Sequence, residues 1–180
     1  MIPDLFALNS TVRAWMLAHQ NSIAHQAFAA ASAVGSFRSA FWLSVFVVAY
    51  LVGIGRRRGV LACLLAPLLS VPVYTGIRRF YPHARPPSVA GLAEGTSSFP
   101  SAHTTASTAV YCTLAYVLWR EGILPAPISL AAAFVMPLLI GVSRVYLDVH
   151  WATDVIGGWV AGILIAAVAR LVYNRSPAFS

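Results

Sequence analysis

Apolar residues fall along this chain in long blocks, without the alternation of an amphipathic strand or the narrow stripe of a surface helix. About 20 apolar residues cross the hydrocarbon core of a bilayer, and shorter runs serve when their flanks reach the interface. Five blocks meet or approach that length: Ser39–Gly55, Gly59–Ile77, Ser101–Trp119, Gly122–Ser143 and Val155–Ala169. A sixth, Ile23–Phe37, is weaker and rich in Ala. The stretch from Arg13 to Gln26 is amphipathic, with His19, Gln20, Asn21, His25 and Gln26, and reads as an interfacial segment leading into the first span. One connection is long and polar, Arg78 to Pro100, with Pro82, Pro86, Pro87 and Gly95; long loops between compact helices tend to be functional. The pattern predicts an all-α fold, a polytopic membrane bundle of six transmembrane helices. It forms a single domain over residues 1–180, with no internal repeat.

Composition supports the membrane class. Only 9% of the residues are charged, where a soluble domain carries about a quarter. The formal net charge is +7, which raises the question of nucleic acid. All twelve basic residues are Arg, and no motif of a nucleic-acid-binding fold is present, so nucleic acid is not expected as a partner. Arg alone suits planar recognition of phosphate and positive-inside loops. Cys63 and Cys112 lie in apolar runs and read as buried free thiols. The start, Met1 to Ser10, contains Pro3 and Asp4 and lacks the basic and apolar regions of a cleavable signal peptide.

With six spans, Arg13, Arg56, Arg57, Arg58, Arg120, Arg170 and Arg175 fall on one side, expected to be cytoplasmic. Arg38, the long loop and the segment Arg144–Asp154 fall on the other. Arginines there run against the rule, and an anion would account for them.

Three segments on that outer side carry the polar chemistry: Arg78–Pro86, Phe99–His103 and Ser143–Asp154. Arg78, Arg85 and Arg144 offer planar forks for phosphate oxygens. Ser101 and His103 open a helix after Pro100, where free backbone N–H groups favour an anion. His150 and Asp154 are one helical turn apart. A carboxylate on one ring nitrogen fixes the tautomer and leaves the other lone pair free to attack. His103 is then placed to protonate a leaving oxygen, worth about 10²–10⁴ in rate. His19, His25 and His83 read as interfacial or packing residues, and Tyr146, Trp151 and Trp159 as aromatic-belt residues. Asp148 either bridges an arginine or faces water. Structural pairing with the few outer carboxylates, Glu94, Asp148 and Asp154, would account for one of these arginines and not for all three.

These residues resemble the signature of the phosphatidic acid phosphatase type 2 superfamily, which includes bacterial lipid phosphatases and undecaprenyl-diphosphate phosphatases. That signature is Lys-x6-Arg-Pro, then Pro-Ser-Gly-His, then Ser-Arg-x5-His-x3-Asp. Here it reads Arg78, Arg85, Pro86; then Pro100, Ser101, Ala102, His103; then Ser143, Arg144, His150, Asp154. Arg78 stands in place of the family's Lys and Ala102 in place of Gly. The resemblance implies that His150 attacks phosphorus and forms a phosphohistidine, oriented by Asp154, while His103 protonates the leaving group. Arg78, Arg85, Ser101, Ala102 and Arg144 would bind the phosphate. It also implies no metal and no cofactor, a lipid phosphate as substrate, and membrane lipids as surroundings. By the same resemblance the location is the cell's inner membrane, multi-pass, with the site facing the periplasm or exterior. Undecaprenyl diphosphate is the substrate this favours; phosphatidylglycerol phosphate, phosphatidic acid and lipid A phosphate remain open. Headgroup selection would fall to the loop from Pro87 to Phe99. An anion transporter or channel is the reading from another class, but it calls for charge through the bundle, and Ala40–Val52 carries none.

Overall fold

The structure is a computed structural model that describes residues 3–88 and 97–177, with the side chains of residues 3–6 excepted. Glu94, Gly95 and most of the loop expected to select headgroups lie outside the described residues. Among the described residues seven α-helices follow one another: α1 (Pro3–Ala18), α2 (Ser22–Val34), α3 (Phe37–Gly53), α4 (Val60–Phe80), α5 (Ala102–Arg120), α6 (Ala126–Tyr146) and α7 (Ala152–Arg175). A short 3₁₀ turn, Arg57–Gly59, joins α3 to α4. The all-α bundle expected from the sequence is what forms.

The count of spans changes. Among the described residues three helical stretches are long and apolar enough to cross a bilayer: Arg57–Phe80, Ala126–Tyr146 and Ala152–Arg175. The pair α2 and α3, bent by 53° at its break, meets the same measure only when the two helices are taken together. The first expected span is therefore not a separate one. With 13 residues, α2 is roughly 20 Å long, short of a core about 30 Å thick. Asn21 starts it with a side-chain cap on the Ala24 N–H (2.9 Å), and Ser36 restarts the chain as α3 by capping Ser39 (3.2 Å). The two helices run once along the bundle, from Tyr146 near the start of α2 to the turn before α4 at the end of α3.

The fourth expected span, α5, is less apolar than the others for a different reason. It is enclosed by α3, α4, α6 and α7, and its first half, with Thr104, Thr105, Ser107 and Thr108, is buried in protein. A helix that does not face lipid need not be apolar. Its hydroxyls are satisfied partly by its own turns: Thr105 donates to the Ser101 carbonyl (2.9 Å) and Ser107 to that of Thr104 (3.2 Å).

The tightest packing is between α5 and α7. A Cβ on Gly158 would lie 2.7 Å from Thr104 Cβ, and one on Gly162 2.5 Å from Thr108 Cβ and 2.8 Å from the Thr105 carbonyl oxygen. Two glycines one turn apart thus let the backbones close up, as small residues do at helix seams in membranes. That contact fixes the start of α5 against the start of α7, where the expected chemistry lies.

The end of the bundle far from His150 is held by Arg56, paired with Glu121 (3.6 Å), and by Arg58, which donates to the Tyr173 carbonyl (3.2 Å). Arg13 is not at that end, contrary to the expectation above. It forms a two-pronged ion pair with Asp148, Nε to Oδ1 at 2.7 Å and Nη2 to Oδ2 at 2.8 Å. The reason is that α1 does not precede a full crossing; it lies across the start of α7. Asn9 clips the same place, donating to Thr153 Oγ1 (2.9 Å) and accepting the Thr153 N–H (3.1 Å), an orphan donor of the first turn of α7. Tyr146, expected in the aromatic belt, is 4% exposed; it packs on Phe28 and its hydroxyl accepts the Asn21 N–H (3.0 Å). Cys63 and Cys112 are free thiols.

Candidate active site

The three polar segments converge at one end of the bundle. The sharp turn from α6 to α7 passes through Asp148, whose φ of 55° lies in the left-handed region, which Asp tolerates better than most residues. This turns Val149 and His150 back so that both N–H groups donate to the Arg144 carbonyl (3.2 Å each). His150 then points inward, 4% exposed, beside the fully buried Asp154.

Asp154 gathers four donors. Its Oδ2 accepts the Trp151 N–H (2.9 Å) and His150 Nδ1 (3.2 Å); its Oδ1 meets His83 Nδ1 (3.0 Å) and the Ser98 hydroxyl (3.3 Å). On the other side of the His150 ring, Nε2 lies 3.4 Å from Arg85 Nη1. A guanidinium can only donate, so Nε2 carries the lone pair and Nδ1 the proton. Asp154 and Arg85 thus select the same tautomer from opposite sides. Burial pushes the His150 imidazole down to about 4, Arg85 and Arg144 adding to this against the pull of Asp154, so the ring is neutral near pH 7.

The phosphate-binding candidates surround this nitrogen. Arg85 also donates to the Val149 carbonyl (3.1 Å). Arg144 donates to the Ser32 hydroxyl, while its buried Nε has no hydrogen-bond partner among the described residues. An unpaired buried donor costs about 1–3 kcal/mol, more for a charged group, so this N–H is a place where an anion would be welcome. Arg78 holds the Pro100 carbonyl with Nε (3.2 Å) and Nη2 (2.9 Å), and its guanidinium lies 5.2 Å from the Tyr74 ring centre. It thereby positions the peptide that starts α5. Ser101 caps α5 by accepting the Thr104 N–H (3.4 Å), and its own N–H donates to the Asp154 carbonyl (3.0 Å). Ala102 is the first residue of α5 and His103 the second. The His103 ring is within electrostatic range of Arg144, His150, Arg78 and Arg85, and makes no hydrogen bond among the described residues. All eight candidate residues therefore sit in one region.

Sequence reasoning missed part of it. His83, read as a packing residue, shares Asp154 with His150. Its place between Arg78 and Arg85 was the available signal. Ser98 and Ser32 carried none. Asp148 bridges an arginine, the first of its two readings, and the partner is Arg13. Trp151 and Trp159, expected in the belt, both donate their indole N–H to backbone carbonyls, of Ala84 (2.8 Å) and Pro137 (3.0 Å). Among the described residues no group of three His, Cys, Asp or Glu side chains is arranged to hold a metal ion.

Comparison with known proteins gives the same outline. The phosphatidylglycerophosphatase B of Bacillus subtilis (strain 168) is 35% identical over 94 residues, 49% of this chain and 45% of that protein. An undecaprenyl-diphosphatase of Sulfolobus acidocaldarius is 31% identical over 84 residues, 44% of this chain and 35% of that protein. The matched part is thus less than half the length of either relative. The crystal structure of a transmembrane PAP2-type phosphatidylglycerolphosphate phosphatase from Bacillus subtilis superposes with a TM-score of 0.81 at 20% identity, covering 99% of this chain and 90% of that one. The family profile of the PAP2 superfamily matches residues 7–177, and the chain accordingly belongs to that superfamily.

Proposed function

We propose that this protein is a membrane phosphatase that hydrolyses a lipid-linked phosphate or diphosphate through a phosphohistidine intermediate. The observation that carries the reading is the His150 Nε2 lone pair, held by Asp154 on the far side of the ring and aimed at Arg85. In the first step Nε2 attacks phosphorus and the bond to the leaving oxygen breaks. That oxygen takes a proton from His103, whose cationic form the anionic substrate phosphate stabilises among the surrounding arginines. In the second step neutral His103 accepts a proton from water, the water oxygen attacks phosphorus, the P–N bond breaks and phosphate leaves. Arg85 and Arg144 bind the equatorial oxygens, with the unpaired Arg144 Nε contributing one donor. Arg78, Ser101 and Ala102 set the start of α5 beside the phosphate, and its N–H groups add to the anion site. Asp154 offsets the positive charge that His150 acquires.

The substrate that fits best is undecaprenyl diphosphate, in line with the activity for which the Sulfolobus relative is named; phosphatidylglycerol phosphate, in line with the Bacillus one, phosphatidic acid and lipid A phosphate are the competitors. The enzyme would be multi-pass in the inner membrane with the site on the periplasmic side, because Arg56, Arg57, Arg58, Arg120, Arg170 and Arg175 gather at the far end. The test is phosphate release by purified protein from a panel of lipid phosphates, with His150→Ala beside it. The expected result is a preference in kcat/KM for the lipid diphosphate and loss of turnover in the folded variant; full activity without His150 would overturn the assignment.

A further inference from the structure

Both α6 and α7 pack on α5 but touch each other at few points. Trp159 bridges them near the active site: its indole N–H donates to the Pro137 carbonyl (3.0 Å), and its ring lies against Gly141. Beyond Trp159, away from His150, the gap stays open. Clefts of about 260 Å³ and about 470 Å³ lie there and share Cys112 and Ala133, so they form one groove. Its walls are apolar near Trp159, with Phe134, Leu138 and Ile163. Along α5 it runs from Thr108 to Arg120, roughly 18 Å at about 1.5 Å per residue. That matches one leaflet of a core about 30 Å thick.

The far end of the groove is cationic. Arg120 and Arg170 line it together with Tyr116 and Trp119. The Arg120 guanidinium lies 5.8 Å from the Tyr116 ring centre and 5.9 Å from that of Trp119; Arg170 lies 5.3 Å from Tyr116. Among the described residues neither makes an ion pair. The neighbouring carboxylate, Glu121, is engaged by Arg56 and by the Tyr173 hydroxyl (2.8 Å). Ser129, in the first turn of α6, lines the same end; it is 5% exposed and its hydroxyl has no hydrogen-bond partner among the described residues.

We propose that this groove binds an anionic phospholipid from the leaflet opposite the active site. The phosphate sits between Arg120 and Arg170, an ester or glycerol oxygen takes the Ser129 hydroxyl, and one acyl chain lies along Ala133, Leu138 and Ile163 up to Trp159. Two guanidiniums at the mouth of an apolar channel between helices complement a lipid phosphate in charge and shape. A substrate of the site above does not fit here, because its phosphate would be at the wrong end of the bundle. The inference rests on membrane embedding and not on the proposed catalytic chemistry. The bound chain would fill the gap that α6 and α7 leave under the active site.

The test is native mass spectrometry of the full chain, stripped of lipid in detergent and titrated with phosphatidylglycerol or with phosphatidylcholine of the same acyl chains. The wild type is expected to retain one phosphatidylglycerol at least tenfold more tightly than phosphatidylcholine. Arg120→Gln with Arg170→Gln should remove that preference, and Ala133→Trp should block both lipids by filling the groove; Leu130→Trp replaces it if that variant does not fold. Equal retention of the two lipids by the wild type overturns the proposal. So does unchanged preference in the double variant, unchanged binding in the filled variant, or loss of binding in Arg85→Gln alone, which would put the lipid in the active site instead.

Discussion

Replacing Asp154 by Asn separates the two tasks given to this carboxylate. Asn has the same shape but one of its two atoms is a donor. If its oxygen faces His150 and Trp151, its NH₂ faces His83 and Ser98, and both of those can adapt: His83 by presenting a bare Nδ1, Ser98 by rotating its hydroxyl. The His150 tautomer then survives, and what is lost is the negative charge. Attack by Nε2 leaves that ring positively charged, with the carboxylate oxygen 3.2 Å from Nδ1 and the ring charge centred somewhat farther away. Two unit charges about 4 Å apart at an effective dielectric of about 20 interact by about 4 kcal/mol. At about 1.36 kcal/mol per factor of ten, kcat should fall by about 10²–10³. KM should change little, because substrate phosphate meets the arginines and not Asp154. The assay is single-turnover phosphate release from a lipid diphosphate in detergent, with circular dichroism melting to check the fold. Activity within tenfold of wild type would refute the electrostatic role of Asp154. A large rise in KM with kcat intact would show that the residue shapes the binding site instead.

Three other outcomes follow from the geometry. The fold holds His150 neutral, so as pH falls from 6.5 the reactive form should persist until about 4; kcat/KM, corrected for ionisation of the substrate, should show its acid limb near that value, and a limb at 6.5 would contradict the buried, arginine-flanked ring. Burial alone would raise the Asp148 carboxyl, but Arg13 holds it below the ordinary carboxylate range; its stabilisation is therefore present above about pH 4 and is lost as pH falls through the depressed value. Arg13→Gln should cost about 1–3 kcal/mol, the range for a buried partner left unsatisfied, speed proteolysis within α1 and flatten that acid loss of stability, all three measurable by melting and limited digestion across pH. Gly162→Ala places a methyl 2.5 Å from Thr108 Cβ and 2.8 Å from a backbone oxygen, so overpacking of about 1–3 kcal/mol or more is expected; an unchanged melting temperature with full activity would mean that the seam between α5 and α7 is looser than described.

The helices and the meeting of the three polar segments were legible because both are written in local terms. Long apolar blocks mark helices, and Arg, His and Asp at block ends mark the chemistry. What escaped depends on neighbours distant in sequence. The bend between α2 and α3 lies where Ser36 caps a new helix, and two apolar blocks that read as separate spans fall on its two sides. The polar character of α5 is tolerable only because other helices cover it, a fact about packing that no window of sequence contains. Arg13 was assigned to the wrong end because charge counting assumes that each apolar block crosses the membrane. The bond from His83 to Asp154 joins residues 71 apart, and a histidine in a loop gives no sign of which carboxylate it will meet.

The sheltering of α5 also bears on how the protein is made. A segment with Thr104, Thr105, Ser107 and Thr108 in its first half gains little from partitioning into hydrocarbon alone, since insertion during synthesis is driven by side-chain hydrophobicity. Its neighbours α6 and α7, which emerge later, are the ones able to enter lipid by themselves. The chain should therefore hold α5 at the translocation machinery until its partners arrive, so that the helix bearing Ser101 and His103 settles in the bilayer late, already wrapped.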